Sequence, residues 1–503
     1  MKKTSKKILS VILCLTMIFT LFSVAASADE AATPETGDVF RISCSVNGDT
    51  ATQRGFCWYT KESCETKISV FAGDVDVTES LTLCDVVSEE WEGNFMHKVL
   101  VKGLTAGTDY TYRIYGPNGT YADGSFSTDD GDDKVEFIGI ADVQASNLNN
   151  FLKGARTAKA AVETMPNADF VVTLGDYTND STNEEWDYNA IAFDGINSGV
   201  TQVPVAGNHD GLGVWNWFNN MFCVDTSESV QTLNGMNYSF DYGNVHFAVV
   251  NTNDLLSVSV PQLVWLKKDL MSTDADWKVV FMHKSPYSLG KDTKWPDTLY
   301  LQESLESVLN DCNVDLVMSG HDHQYLRTKP LKNNKVDEDG TVYVLAGTAG
   351  SKRYEIREFI LGHFLKENMV AAMTVQKDGY GNYWDGTSFD NTKETNIGGC
   401  FNTISVDGGK LTYTAYIIKD KTDPNDETEE DVITVIDQFT IEKEQGENEI
   451  EYTGDKTTSK AAYIAGAVPS LLGLVSYTLI NWLPRFLVML PKLVYVYITQ
   501  DVF

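Results

Sequence analysis

An apolar run at 314–318 stops at Gly320-His321-Asp322-His323, and four other strand-like runs stop at residues of the same chemistry. Residues 135–141 end at Asp142, 170–174 at Gly175-Asp176, 203–206 at Gly207-Asn208-His209-Asp210, and 280–282 at His283. Taken singly, Gly-Asp and Asn-His-Asp are ordinary turn chemistry. Repeated at successive strand ends, they narrow the choice of fold. In open α/β sheets the carboxyl ends of the strands gather at one edge, and ligands collect there. Residues i and i+2 of an extended segment share a face, whereas a turn can splay His321 and His323 apart. That suits two neighbouring metal ions better than one. Hard oxygen ligands mixed with imidazoles fit Mn, Fe, Zn or Mg rather than a closed structural zinc site.

The remaining pattern divides the chain. Alternating stretches at 53–60, 67–71 and 98–101, separated by Gly, Asp and Asn turns, predict an all-β sandwich over 38–128. Residues 129–133 read as an acidic linker. From 134 to 442 strands alternate with helices, expected at 149–164, 184–196, 262–270 and 302–310, and β-rich segments return late. This predicts an α/β layered domain of two stacked mixed sheets flanked by helices. Residues 347–399, rich in Tyr, Trp and Asp, read as a long irregular wall.

The termini have their own signals. Lys2, Lys3, Lys6 and Lys7 precede an apolar run from Ile8 to Val24, and Ala26-Ser27-Ala28 fits a signal-peptidase site. Residues 1–28 therefore read as a signal peptide and the chain as exported, with an uncleaved anchor as the alternative. Residues 443–460 read as an acidic tether. Residues 461–483 carry no charge. As a helix they would run about 34 Å, enough to span a bilayer. A buried C-terminal helix is the alternative. Acids precede this stretch and Arg485 and Lys492 follow it, which puts 484–503 in a short cytoplasmic tail and the rest at the cell surface. The formal net charge of −32 repels phosphate backbones and argues against a nucleic-acid partner. It does not exclude a small phosphorylated partner, because bound metal ions dominate their local field. Of eight cysteines, Cys44, Cys57, Cys64 and Cys84 fall in the N-terminal sandwich. Four allow three pairings, which export permits without requiring.

The series Asp142, Gly175-Asp176, Gly207-Asn208-His209-Asp210, Val280-x-x-His283 and Gly320-His321-Asp322-His323 resembles the calcineurin-like metallophosphoesterase superfamily. The N-terminal sandwich and His283-Lys284-Ser285-Pro286-Tyr287 resemble its purple acid phosphatase-like branch, with a fibronectin type III-like N-terminal domain. The resemblance runs from about residue 38 to 442. It implies two metal ions, with Asp176 bridging, Asp142 and His323 completing the first site, and Asn208, His283 and His321 completing the second. It also implies hydrolysis of a phosphomonoester by water that the metals activate. His209 would protonate the leaving oxygen or stabilise its charge, oriented by Asp210 or Asp180. A phosphodiesterase, a nucleotide hydrolase and a cell-surface recognition protein without turnover are the alternatives.

Two positions depart from the branch. Its tyrosine three residues after the bridging aspartate is replaced by Asn179, so the expectation is a colourless pair of divalent ions, Mn, Fe or Zn. Gln144 stands where other branches have a histidine, and would supply a carbonyl oxygen or a hydrogen bond to bound water. Tyr287, Tyr325 and Arg327 are candidate pocket residues. His97 reads as a surface or packing residue and His246 as a packed strand residue, while His363 falls in the 347–399 segment.

Overall fold

Four runs, Val245–Val250, Trp277–Met282, Leu316–Ser319 and Val342–Ala346, are apolar almost throughout, and every one of their residues but Lys278 is buried. Parallel strands covered on both faces have this composition. The computed structural model describes residues 36–443 apart from 211–216, 231–235, 254–259, 289–295, 353, 355–366, 378–379, 385–388, 391–396 and 420–430. The four runs belong to a nine-stranded sheet. Its order is β12 (Tyr238–Tyr242), β13 (Val245–Val250), β14 (Trp277–Met282), β15 (Leu316–Ser319), β19 (Val342–Ala346), β16 (Tyr325–Thr328), β20 (Val370–Lys377), β21 (Tyr380–Trp384), β22 (Phe389–Asp390). A ten-stranded sheet has the order β25 (Ile433–Glu442), β24 (Lys410–Lys419), β23 (Ile397–Asp407), β9 (Lys134–Ile140), β10 (Phe170–Thr173), β11 (Gln202–Pro204), β1 (Val39–Ser45), β2 (Gln53–Thr60), β6 (Asn94–Lys102), β5 (Thr82–Trp91). A four-stranded sheet holds β4 (Val75–Asp76), β3 (Ile68–Ala72), β7 (Asp109–Tyr115) and β8 (Tyr121–Ser127), while β17 (Leu331–Lys332) and β18 (Lys335–Val336) form a hairpin. Strands β9, β10 and β11 are mutually parallel, as are β13, β14, β15 and β19.

The two large sheets face each other across a core in which Phe137, Phe170, Phe247 and Phe281 meet at centroid separations of 4.9 to 5.8 Å. Each buried ring contributes roughly 1.5–3 kcal/mol. Helix α1 (Leu148–Thr164) covers the outer face of the ten-stranded sheet, its Ala155, Ala158 and Ala161 allowing close approach to Ile138, Ile140 and Val171. Helix α2 (Asn183–Ala192) starts in a capping box of Thr182 and Glu185. The helix expected over 184–196 breaks at Gly195, whose φ of 78° is left-handed, and resumes as α3 (Ile196–Gly199). After the short α4 (Trp217–Met221), helices α5 (Val260–Ser272) and α6 (Pro296–Asp311) cover the nine-stranded sheet through Leu263, Leu266, Leu270, Leu305 and Leu309. The layered α/β architecture expected from the sequence is present.

The N-terminal strands differ from a separate module. Their sandwich packs Phe56, Trp58 and Val99 against Val70, Tyr112 and Phe126, but one of its sheets is the continuation of the ten-stranded sheet. Strand β1 pairs in parallel with β11 at Ser45 and Gln202, and Val46 donates its N–H to the Gln202 carbonyl at 3.1 Å. The linker at 129–133 is tied down as well. Asp129 is buried and accepts from the Thr50 hydroxyl at 3.2 Å and the Gly243 amide at 2.9 Å. All described residues lie in one compact unit. The 347–399 segment is also more regular than expected, because β20 to β22 extend the nine-stranded sheet by pairing outward from β16. The seven described cysteines are all free thiols. The stretches read as a signal peptide (1–28), a membrane span (461–483) and a cytoplasmic tail (484–503), nearly all of the stretch read as a tether (443–460), and His363 lie outside the described residues. Among the described residues, no helix is long and apolar enough to cross a membrane.

Candidate metal centre

The parallel strands carry their polar ends to one edge, and tight backbone turns aim them inward. Asp142, Gln144, Asp176, His321 and His323 all have positive φ, between 37° and 76°. They are five of the thirteen described non-glycine residues in that region. Such backbone is sparsely populated and persists where surrounding structure over-determines it. The glycines of the motifs make room. A Cβ on Gly175 would strike His283 Nδ1, on Gly207 the Asp176 backbone and carboxylate, and on Gly320 Asp142 Oδ2.

Two donor groups result, Asp142 with Asp176 and His323, and Asp176 with His283 and His321. Within each group the ligand atoms lie within 4.8 Å of one another, and Asp176 belongs to both. Asn208 Oδ1 joins the second group, 3.1 Å from His283 Nε2, which is also 3.3 Å from Asp176 Oδ2. Hydrogen bonds from the far side fix the rings. His283 Nδ1 donates to the Leu174 carbonyl at 2.8 Å and His323 Nδ1 to the Lys352 carbonyl at 2.6 Å, so each ring turns its Nε2 towards the donor groups. His323 Nε2 is buried without a hydrogen-bond partner, 3.7 Å from Asp142 Oδ1. An orphaned imidazole nitrogen facing carboxylates is what a metal ligand looks like before its ion is counted. The residues present therefore fit two ions.

The electrostatics point the same way. Burial raises the Asp142 carboxyl well above the usual range. Burial pushes Asp176 up as well, but the His283, His209 and His321 rings outweigh it and bring its carboxyl below that range. Burial lowers the His283 imidazole, yet Asp176 and Asp142 lift it to about 9. His321 and His323 are held down by burial first, His323 to about 3. This edge calls for positive charge beside Asp176, which a proton on His283 or a metal ion can supply.

His209 is half-buried beside the second group, its N–H donating to Asp176 Oδ1 at 2.9 Å. Its Nδ1 bonds the Asn179 carbonyl. A carbonyl can only accept, so Nδ1 keeps its proton and Nε2 is the nitrogen that exchanges one. Neither acid expected to orient this ring does so. Asp210 is fully buried and accepts from the amides of Asp176 at 2.9 Å, Tyr177 at 2.8 Å and Gly207 at 2.7 Å. Asp180 is exposed and takes the Asn179 side-chain amide at 2.8 Å. Gln144 is buried, donates its N–H to the Asp176 carbonyl at 2.8 Å, and has an unpartnered Oε1.

Tyr287 and Tyr325, expected near the pocket, are buried among the described residues. Both are core residues, with hydroxyls on Asn334 Oδ1 at 2.8 Å and Asp437 Oδ2 at 2.7 Å, and Arg327 pairs with the same Asp437. Tyr177 packs its ring on Trp186 and Phe222. His97 is a packing residue, stacked on Trp58 at 5.3 Å between the Thr60 and Thr66 hydroxyls. The loop after β19 opens the 347–399 segment read as a wall, but its part in holding the site was not foreseen. The Thr348 hydroxyl donates to the Asp142 carbonyl at 2.8 Å, Ala349 N–H to the Ala141 carbonyl at 2.7 Å, and the Tyr354 ring lies 4.4 Å from that of His323. Its signal was available, since the apolar run 342–346 also stops at glycine, in Gly347-Thr348-Ala349-Gly350.

Residues 136–325, which contain every donor named above, match the family model for calcineurin-like phosphoesterases. The chain carries a calcineurin-like phosphoesterase domain. Over 270 residues, 51% of this chain and 59% of the relative, it is 28% identical to purple acid phosphatase 22 of Arabidopsis thaliana. The chain thus spans about three-fifths of the length of that curated relative. Among solved structures, the purple acid phosphatase PPD1 from yellow lupin (Lupinus luteus) seeds aligns with a TM-score of 0.60 and 17% identity. The alignment covers 81% of this chain and 75% of the lupin one. A structure of PhoD aligns with a TM-score of 0.52 and 11% identity over 82% of this chain and 92% of that one. At such identities both likenesses speak for the fold alone. The phosphoesterase domain accounts for the α/β layers and for the edge where the donors meet.

Proposed function

We propose that the chain hydrolyses phosphomonoesters of small molecules at a dinuclear metal centre. The observation that carries this reading is the pair of donor groups meeting at Asp176. Asp142, Asp176 and His323 would hold one ion, and Asp176, Asn208, His283 and His321 the other. Two such ions clamp a phosphate, neutralise it and lower the pKa of bound water. The chain's own part is preorganisation. His283 and His323 are locked by their Nδ1 bonds, and the Asp210 carboxylate fixes both the 176–178 and 207–210 turns. His209, tied at Nδ1, is suited to pass a proton from Nε2 to the leaving oxygen.

The mixed oxygen and nitrogen donors favour manganese, iron or zinc. The Asn179 side chain turns to Asp180 and the Tyr177 ring packs in an aromatic cluster, which supports divalent ions and a colourless protein. A visible charge-transfer band in metal-loaded protein would count against that choice. Turnover of para-nitrophenyl phosphate beside its bis-ester, with metals controlled, tests the activity. A monoester preference lost in Asp176→Asn together with bound metal is expected. Activity on the bis-ester alone would make the chain a phosphodiesterase, and two metals with full turnover in Asp176→Asn would remove the assignment. The basic, apolar N-terminus and the uncharged stretch at 461–483 support export and anchoring at the cell surface. Recovery of the full-length chain from the medium or the cytoplasm would refute that part.

A further inference from the structure

We infer that Arg41, in the first strand of the N-terminal region, is a positioning residue for His209, so that the N-terminal strands form part of the active-site scaffold. The inference rests on the reading of His209 as the group that protonates the leaving oxygen.

Arg41 sits where the register of β1 against β2 shifts between Phe40 and Ser43, and its φ is 49°. Bulges of this kind re-aim a side chain. Here the side chain goes inward. The guanidinium is fully buried, 5.4 Å from the Phe40 ring centroid, 5.0 Å from Tyr59 and 5.4 Å from Trp217. Burying a cation is unfavourable unless it is paired. Arg41 spends its pairing on the first turn of α2. Its Nε donates to Asp187 Oδ1 at 2.9 Å, and Nη2 donates to the Asn183 carbonyl at 2.8 Å and to Asn183 Oδ1. Asn183 also reaches the N-terminal region through its side chain, which donates to the Glu92 carbonyl at 2.9 Å.

What hangs from that turn is the perch of His209. Glu185 accepts the Asp180 amide at 2.8 Å, and Trp186 Nε1 donates to Ser181 Oγ at 3.0 Å. Residues 180–182 are thereby fixed to α2, and the carbonyl next to them, on Asn179, takes Nδ1 of His209. Trp217, which caps the Arg41 cage, also stacks on Trp186 at 6.4 Å and meets Trp91 edge-on at 5.9 Å. A shift of α2 would therefore move the imidazole, while the donors Asp142, His283, His321 and His323 sit on other strand ends.

The test uses the full chain as Arg41→Met, His209→Ala and the double variant, assayed for bound metal and for hydrolysis of a nitrophenyl phosphate and an alkyl phosphate. Arg41→Met is expected to keep two metals per chain and to lose about 10²-fold in turnover of the alkyl ester, the order of loss for a small misplacement of a catalytic group. The nitrophenyl ester, whose leaving group needs little protonation, should lose far less. In the His209→Ala background Arg41→Met should add no further loss, and Arg41→Lys should recover part of the single-variant activity. Equal losses on both esters, no loss, or a multiplicative loss in the double variant would overturn the inference. Should Arg41→Met not fold, Asp187→Asn cuts the same link from the helix side and is judged by the same ratios. If His209→Ala leaves alkyl-ester turnover intact, the reading of His209 fails and takes this inference with it. A leaving-group-dependent loss in His209→Ala with none in Arg41→Met sinks the inference alone.

Discussion

Asp210 serves four backbone amides, those of Asp176, Tyr177, Thr178 and Gly207, and this decides what its loss would do. Leaving a buried N–H without an acceptor costs about 1–3 kcal/mol. Asp210→Ala is therefore expected to destabilise the protein by several kcal/mol in urea unfolding and to release metal, whereas Asp210→Asn, which keeps one acceptor oxygen, should lose less. A variant with native stability and only slow turnover would return Asp210 to the role of a His209 orienter. Gly207→Ala is expected to strip metal from the second group, because the new Cβ would collide with Asp176 N and Oδ1. Gly199→Ala, whose Cβ meets nothing within 4 Å, is the control and should bind metal normally. At this scale the donors were readable, since Asp142 and His283 end apolar runs and Asp176, Asn208, His321 and His323 follow such runs in glycine-led motifs. Their supports were not. The partners of His283, His323 and His209 are the carbonyls of Leu174, Lys352 and Asn179, and a carbonyl looks the same whatever residue bears it.

His246 joins elements. It lies on β13, bonds Asp241 of β12 at 2.7 Å through Nδ1, and bonds Asp269 of α5 at 3.0 Å through Nε2. Burial pulls this imidazole down, but the two carboxylates outweigh it and lift it to about 9. A pKa raised on folding adds stability that is complete below the unfolded value of about 6.5 and fades as pH climbs through 9. His246→Ala should thus cost more at pH 6 than at pH 10, by on the order of 2 kcal/mol, reduced because Asp241 is mostly exposed. Denaturant midpoints at the two pH values would show it, and an equal cost at both would remove the ion-pair explanation. Sequence could place His246 in a packed strand, yet Asp269 lies 23 residues away on a helix, and no local pattern joins them. The same limit hid β20 to β22, which exist because β16 offers an edge. Runs such as 245–250, by contrast, announce themselves by composition.

For the whole molecule, the division at 129–133 was the least readable feature. Turn-rich composition marks a change of pattern, and it does not say whether a sheet continues across it. Strand β1 on β11, with Phe40, Tyr59 and Met96 in one cluster with Tyr177, Trp186 and Trp217, makes the two halves depend on each other. A chain starting at residue 134 would bare the edge of β11 and that aromatic cluster. It is expected to be insoluble or to melt without cooperativity. A soluble fragment with a sharp thermal transition and two bound metals would show the halves to be independent. The register of the same sheet has a consequence in time. Gly139 of β9 pairs with Asn402 of β23, which lies 263 residues later in the chain. At about 5–20 residues synthesised per second, that partner arrives roughly 13–50 s after β9 itself. Until then one side of β9 is an open edge, the kind of surface that recruits stray strands. Whatever leaves the ribosome first must be shielded until β23, β24 and β25 arrive to close the sheet.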